Sequence, residues 1–332
     1  MKNYFYVVFN NWDNNTLKKN EKGYYTICLK DLETVKDVLV VSHPADCLSP
    51  LLRFLFAVHN SERINKHINL PFKKIWFKHY FKTPKKIDKP FCFVILEPKI
   101  SVNYYAYLRR KYKDCKIVAV YRDFLKVYLK SNPLLENGHY FDLEFSYDEL
   151  EAREKGMIYF EEFESKIIIN DYNSFPKCDV FFAGKAKDRL KIILEICEKL
   201  TSVGYVCNFF ITHANDCDKK NIQGVTYMDK DFSYYEMLCR SLNAKCLLDI
   251  NQNGAIGFTS RFLEAVMYNK KLITNNKAVL KSKYYNSRFI QYIESANDLN
   301  PHFVDDSIVN FNYSGDFSPI NLINKIDDEL SK

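Results

Sequence analysis

Short apolar runs of strand character alternate with helical stretches along this chain, and that alternation narrows the fold more than any other property of the sequence. Strands separated by helices, rather than by hairpin turns, build parallel sheets with helices covering the faces. In the first half, residues 4–9, 38–41, 91–96 and 117–120 read as strands, with helices over 50–60 and 102–113. In the second half, 179–183, 206–212, 245–250 and 271–274 read as strands. The helices between them carry their own signals. Gly204 stops the one that ends at Val203, Ser233 with Glu236 has the spacing of a capping box before a helix through Leu242, and Ser318 with Pro319 opens a last helix over 320–330. An acid-rich stretch, 142–164, leads into the polar run 170–176, where the domain boundary is placed. The expected division is 1–172, 173–318 and a terminal helix within 319–332.

A length of 332 residues, 47% hydrophobic and 16% aromatic, suits two buried cores. No apolar run approaches the roughly 18 residues of a spanning helix, and 4–9 is too short for a secretory signal, so a cytoplasmic chain is expected. The ten cysteines form no CxxC pair, and Cys92, Cys197, Cys207 and Cys246 lie in apolar runs, which makes them small core residues. The net charge of +7 is concentrated: ten Lys and Arg stand between positions 51 and 90 against Glu62 and Asp88. Phe72, Ile75, Trp76, Phe77, Tyr80 and Phe81 are interleaved with these cations. Such a segment, from Arg53 to Lys89, suits an anionic membrane surface and a peripheral place on the inner face of the cytoplasmic membrane. The same composition also describes a solvated basic face whose aromatics enter the core. No nucleic-acid module accompanies the charge, and no nucleic-acid partner is expected.

The stretch 245–276 carries the clearest chemistry. A strand, a polar loop with Gly254 and Gly257, and a helix capped by Thr259 offer free N–H groups, a positive dipole end and close backbone approach, the requirements of a phosphate grip. Glu264, about a turn in, is placed to accept from a ribose hydroxyl. One loop away, Gly184 is followed by Lys187 and Arg189, cations at a helix start, where a bound anion would offset their unfavourable position.

From Gly257 through Ala265 and on to Asn276, with Phe182, Gly184, Lys187 and Arg189 upstream and Tyr284, Tyr285 and Asn286 downstream, the sequence resembles bacterial GT-B glycosyltransferases of surface-polysaccharide and lipopolysaccharide assembly. The matching region, 179–286, is about a third of the chain. The resemblance implies an α/β, GT-B-like fold of two Rossmann-like domains facing each other across a cleft, with the acceptor on the first and the donor on the second. It implies a nucleotide-sugar donor, UDP-linked in this reading, a glycan or lipid-linked acceptor, no cofactor and no metal. It makes Glu264 the ribose acceptor, Thr259, Ser260 and Arg261 the diphosphate contacts, and Gly184, Lys187, Arg189 and Gly257 their neighbours. Many retaining members have a glutamate eight positions before the ribose glutamate; Ile256 stands there in this chain, and the reading leans to inversion.

Inversion needs a base for the acceptor hydroxyl, sought at the carboxyl ends of first-half strands. Asp123 and His43 are the catalytic candidates, with Glu97 a third. Two Asp-x-Asp pairs, Asp216 with Asp218 and Asp229 with Asp231, have the spacing to share a divalent cation. Lys219 and Lys220 adjoin the first pair, which favours a solvated loop. A non-catalytic nucleotide-binding module, a membrane-associated adaptor and a metal-dependent transferase are the alternatives.

Overall fold

The computed structural model describes residues 2–10, 22–41, 48–61, 64, 67–68, 70–98, 100–136, 138–252, 257–305 and 308–332. The chain forms two compact units, the first from Met1–Glu21, Tyr25–Glu161 and Ser318–Lys332, the second from Lys22–Tyr24 and Glu162–Phe317. The sequence-based division lay at 172–173; the chain passes between units at Glu161–Glu162, and its last helix packs with the first unit.

The first unit is built on β1 (Phe5–Phe9), β2 (Val38–Val41), β3 (Phe91–Leu96), β4 (Lys116–Tyr121), β5 (Leu143–Ser146) and β6 (Ile158–Tyr159). All pairs are parallel, in the order β2-β1-β3-β4-β5-β6. Its helices are α1 (Tyr24–Cys28), which begins at the unit border, α2 (Pro50–Asn60), α3 (Val102–Lys111), α4 (Leu125–Ser131) and α5 (Glu149–Lys155). Strand alternation sends Val7, Phe9, Phe93, Ile95, Ile117 and Ala119 to one face, where they pack with Tyr104, Tyr105 and Leu108 of α3 and with Phe77 and Phe81. Tyr6 points to the other face, and its hydroxyl meets Asp327 Oδ1 at 2.5 Å. Strands β5 and β6 and helix α5 lie within the acid-rich stretch that looked like an approach to the boundary. They are short, and the Asp148 cap on Glu151 N (2.8 Å) together with Gly156 at φ +69° delimits α5 with little help from an apolar run.

The second unit holds β7 (Cys178–Lys185), β8 (Cys207–Thr212), β9 (Val225–Met228), β10 (Ala244–Asp249), β11 (Lys271–Thr274) and β12 (Ile290–Tyr292), again all parallel, in the order β12-β11-β10-β7-β8-β9. Helices α6 (Leu190–Ser202), α7 (Tyr234–Leu242) and α8 (Ser260–Met267) accompany it. Val180, Phe182, Cys246, Leu248 and Ile273 pack with α6 on one face. Phe181, Leu247 and Leu272 pack with α8 on the other. Numbered from β7, the order is 3-2-1-4-5-6, that of doubly wound dinucleotide-binding sheets.

The last helix, α9 (Pro319–Leu330), starts where Ser318 accepts from Ile320 N. It is tied to the first unit by Ser318 to Asp31 Oδ2 (2.5 Å) and by Lys2 to Asn324 (2.7 Å). Cys92, Cys197, Cys207 and Cys246 are buried free thiols. No helix among the described residues is long and apolar enough to cross a membrane.

Candidate functional site

In a sheet of order 3-2-1-4-5-6, ligands bind outside the carboxyl ends of the first and fourth strands, where successive connections leave for opposite faces. Here those strands are β7 and β10. The connection after β7 runs to α6 and that after β10 to α8, so the structure brings Gly184, Lys187 and Arg189 to the same switch point as Gly257, Thr259 and Ser260.

Arg189 joins the two connections. Its Nε donates to Lys185 O at 3.2 Å, its Nη1 donates to the Ile250 carbonyl just past β10, and the guanidinium lies 5.7 Å from the Phe182 ring centre. Burial lowers its pKa, with Asp249 and Asp188 opposing, so an anion beside it would be favoured. A Cβ on Gly184 would come within 3.1 Å of Arg189 Nη2 and 3.3 Å of Phe182 Cζ, so the glycine leaves room for this bridge. Lys187 is exposed and holds φ +46°, left-handed backbone uncommon for a side chain with Cβ. Its position at the start of the 3-10 turn Lys187–Arg189 leaves its charge in the dipole's unfavourable place unless an anion is near.

On the β10 side, Gly257 takes φ +90°, which glycine adopts without strain. Its carbonyl accepts from Asn276 Nδ2 at 2.7 Å, and Asn251 N donates to Asn275 Oδ1 at 2.7 Å, so the connection after β11 braces this loop. Thr259 caps α8 by accepting from Phe262 N at 3.1 Å and donates to Asp249 Oδ2 at 2.9 Å; Thr274 donates to the same oxygen at 3.2 Å. Burial raises the Asp249 carboxyl above its ordinary range, opposed by Thr259, Arg261, Thr274 and Arg189. Ser260, half-buried, follows as the first residue of the helix. Gly254 and Ile256 lie outside the described residues.

Arg261 and Glu264 turn inward. Helix α8 is buried from Arg261 through Met267, and the Glu264 carboxylate receives hydrogen bonds from Arg261 Nη1, from Tyr234 (3.0 Å) and from Ser241 (3.5 Å). Arg261 also donates to Ser241 Oγ at 2.8 Å. The Tyr234 hydroxyl reaches the fully buried Glu164 as well, so two carboxylates stand around one hydroxyl hydrogen. Burial raises Glu264, with Arg261 the main opposing influence. The sequence held a signal for this: Phe262, Leu263, Ala265, Val266 and Met267 leave α8 no polar face.

A cavity of about 190 Å³ opens beside Gly184 and Lys185 at the ends of β7, β8 and β9. Phe210, Phe232, Met228 and Met237 form its apolar wall, and Thr212 and Asp231 its polar side. Thr212 donates to Asp231 Oδ1 at 2.6 Å, and Lys185 stands 4.0 Å from Oδ2. Arg240 stiffens the wall from behind, 4.5 Å from the Phe232 ring centre and 5.0 Å from that of Phe210. It is held there by Glu236 at 2.9 Å, so Glu236 does not turn back to complete the capping box expected with Ser233. Nothing in the spacing of Asp231 and Thr212 marked them as neighbours; the parallel pairing of β8 and β9 does.

In the first unit Asp123 follows β4, exposed, with Oδ1 accepting from Phe124 N at 2.8 Å. His43 lies outside the described residues. Glu97 follows β3, which with β1 flanks the switch point of an order beginning 2-1-3. Glu97 takes φ +53° and accepts from the Tyr25 hydroxyl, and Arg122 stacks 5.3 Å from the Tyr25 ring centre. Of the Asp-x-Asp pairs, Asp216 is bound to Lys219 at 2.6 Å and Asp231 to Thr212. No group of three or more His, Cys, Asp or Glu among the described residues is arranged to hold a metal ion.

Two six-stranded parallel sheets with helices on their faces, the second in the 3-2-1-4-5-6 order, define an α/β protein of two Rossmann-like units. No family model matches the chain, and no curated protein is similar to it. Solved structures with a likeness include the Glycosylation Associate Protein (Gap123) complex from Streptococcus agalactiae, at 11% identity and a TM-score of 0.44, covering 81% of this chain and 59% of that one. The chain is thus similar to little more than half of that protein's length. A UDP co-structure of S. aureus MnaA has 12% identity, a TM-score of 0.42 and coverage of 100% and 97%. The UDP-N-acetylglucosamine 2-epimerase from Rickettsia bellii has 11% identity, a TM-score of 0.43 and coverage of 99% and 95%. It is the strand order, and not these likenesses, on which the class rests.

Proposed function

We propose that the chain is a metal-independent glycosyltransferase that takes a sugar from a nucleotide-sugar donor and adds it to a growing bacterial surface glycan. The observation that carries this reading is the convergence of Gly184, Lys187, Arg189, Gly257 and the capped start of α8 at one switch point. The glycines admit a diphosphate to the backbone, Thr259 and Ser260 open the helix whose first N–H groups meet it, and Lys187 and Arg189 offset the charge that grows on the leaving group. Arg261 and Glu264 serve this grip from within: their ion pair fixes the start of α8, and a ribose hydroxyl reaches Glu264 by displacing one of the hydroxyls that it now accepts from, Tyr234 or Ser241.

The cavity beside Gly184 suits the base. Its aromatic wall offers stacking, and the Asp231 carboxylate, with Lys185 beside it, matches the imide N–H and carbonyl oxygens of uracil. The base for the acceptor hydroxyl belongs to the first unit, from Asp123, His43 or Glu97 with its Tyr25 partner.

A thermal-stabilisation screen of nucleotide sugars tests the donor site. A bound donor at a hundred times its Kd stabilises by about 2.7 kcal/mol; Lys187→Ala should reduce that gain without altering the unliganded melt. If no nucleotide or nucleotide sugar raises the melting temperature, the reading fails. Where one does, release of free nucleotide in the presence of glycan acceptors separates an enzyme from a binding module, which would leave the donor intact.

A further inference from the structure

We infer that α2 and the turn beside it form an interfacial surface that seats this chain on an anionic lipid bilayer, the apolar face of the helix entering the headgroup boundary. A helix of a soluble domain normally turns its apolar stripe inward. Helix α2 does the reverse. Of its large apolar side chains only Phe56 is buried, against Trp76 at 5.4 Å between ring centres. Leu51 is 70% exposed and Phe54 60%, and Leu52, Leu55 and Val58 are exposed beside them. Ile75 (53% exposed) lines a groove of about 480 Å³ with Leu52, Leu55 and Val58, and Phe72 (78%) stands exposed at the head of the same turn.

This surface is built and held. The Trp76 indole can only donate, so its 2.8 Å bond to His59 Nδ1 makes that atom the acceptor and leaves the hydrogen on Nε2, which gives it to Pro71 O at 2.6 Å. The imidazole thereby ties α2 to the 3-10 turn Lys73–His79. Phe72 sits at the head of that turn at φ +61°, in the left-handed region, with its ring outward. A strained backbone that exposes an aromatic ring gains nothing in water.

The charge on the turn and on the segment that follows it selects the occupant. Lys74, Lys78, Lys82, Lys85 and Lys86 are all exposed, and between Leu70 and Pro90 the only acidic residue is Asp88. Leucine and phenylalanine on one side with lysine around them is the composition of a helix that lies in a membrane interface. Protein interfaces are depleted of lysine, and a phosphate backbone has no use for exposed leucines. With no helix long enough to span among the described residues, the surface rests on the bilayer. The sequence pointed to the lysine segment but placed the apolar contribution in its aromatics. The structure divides these, burying Trp76, Phe77 and Phe81, exposing Phe72 and Ile75, and adding α2. Arg63 and Lys66 lie outside the described residues.

The inference is independent of sugar transfer, since the proposed nucleotide site lies in the second unit. Flotation of the full chain with phosphatidylglycerol–phosphatidylcholine vesicles, and with phosphatidylcholine alone, tests it. Binding should need the anionic lipid and weaken with salt. The Leu51→Ser/Phe54→Ser double variant should lower partition at least tenfold, and Lys74→Gln/Lys78→Gln/Lys82→Gln about fivefold per lysine, both with wild-type melting and nucleotide response. A tryptophan at position 54 (Phe54→Trp) should shift its emission to the blue when anionic vesicles are added. The inference is overturned if the chain ignores anionic vesicles or if both variants partition like the wild type. It is equally overturned if the Leu51/Phe54 change abolishes self-association or duplex binding while vesicle binding is absent.

Discussion

At the residue scale, the centre of the second unit is a set of carboxylates kept from water. Asp249 and Glu264 both have pKa values raised by burial. A carboxyl that holds its proton more tightly folded than unfolded contributes full stability below the unfolded value, about 3.9 for Asp, and loses it as pH rises through the raised value. Asp249→Asn keeps an acceptor for Thr259 and Thr274 but cannot ionise. From about pH 4 upward through the weakly acidic range, wild-type stability should therefore fall relative to this variant and then level off; urea midpoints for the two chains that stay parallel across pH would refute the raised Asp249. Tyr234 is the other sensitive residue. Tyr234→Phe withdraws the hydroxyl hydrogen that Glu164 and Glu264 share, and a loss of about 1.5–3 kcal/mol is expected by denaturant unfolding, the range for a hydrogen bond to a charged group.

At the scale of elements, Thr259 does two jobs with one hydroxyl, capping α8 and bonding Asp249. Thr259→Ala should cost about 1–2 kcal/mol and also weaken nucleotide binding, whereas Ser318→Ala, at the start of α9, should cost about as much and leave that binding unchanged. Calorimetric titration with UDP distinguishes the two; equal affinities in both variants would remove the start of α8 from the ligand site. Elements with a clear local signal were legible in the sequence: β2, β3 and β11 occupy the positions read for them, and Thr259 and Ser318 cap the helices they were expected to cap. Strands β5, β6, β9 and β12 were not legible. They are short and, unlike the equally short β2, have polar side chains among their apolar ones (Glu144 in β5, Thr226 in β9, Gln291 in β12) or only two residues (β6), so their stability comes from pairing that local propensity does not reveal. The same limit applies within the site. The glycines and Thr259 mark the proposed grip through local rules, while the inward turn of Arg261 and Glu264 depends on α7, which packs from elsewhere in the chain.

At the scale of the whole molecule, the two units are not consecutive halves of the chain. Helix α9 follows the second unit in sequence and buries Leu322, Ile323 and Ile326 in the first. Removing residues 319–332 should therefore destabilise the first unit by roughly 5 kcal/mol or more, at 1.5–3 kcal/mol per buried side chain, while the second keeps its nucleotide response. Hydrogen exchange resolved by segment checks this, and loss of protection confined to the second unit would contradict it. During synthesis the same arrangement sets an order of events. The first sheet emerges from the ribosome early but stays without one of its covering helices until every residue of the second unit has been translated, so the second unit can complete its fold while the first still waits with apolar surface open to chaperones.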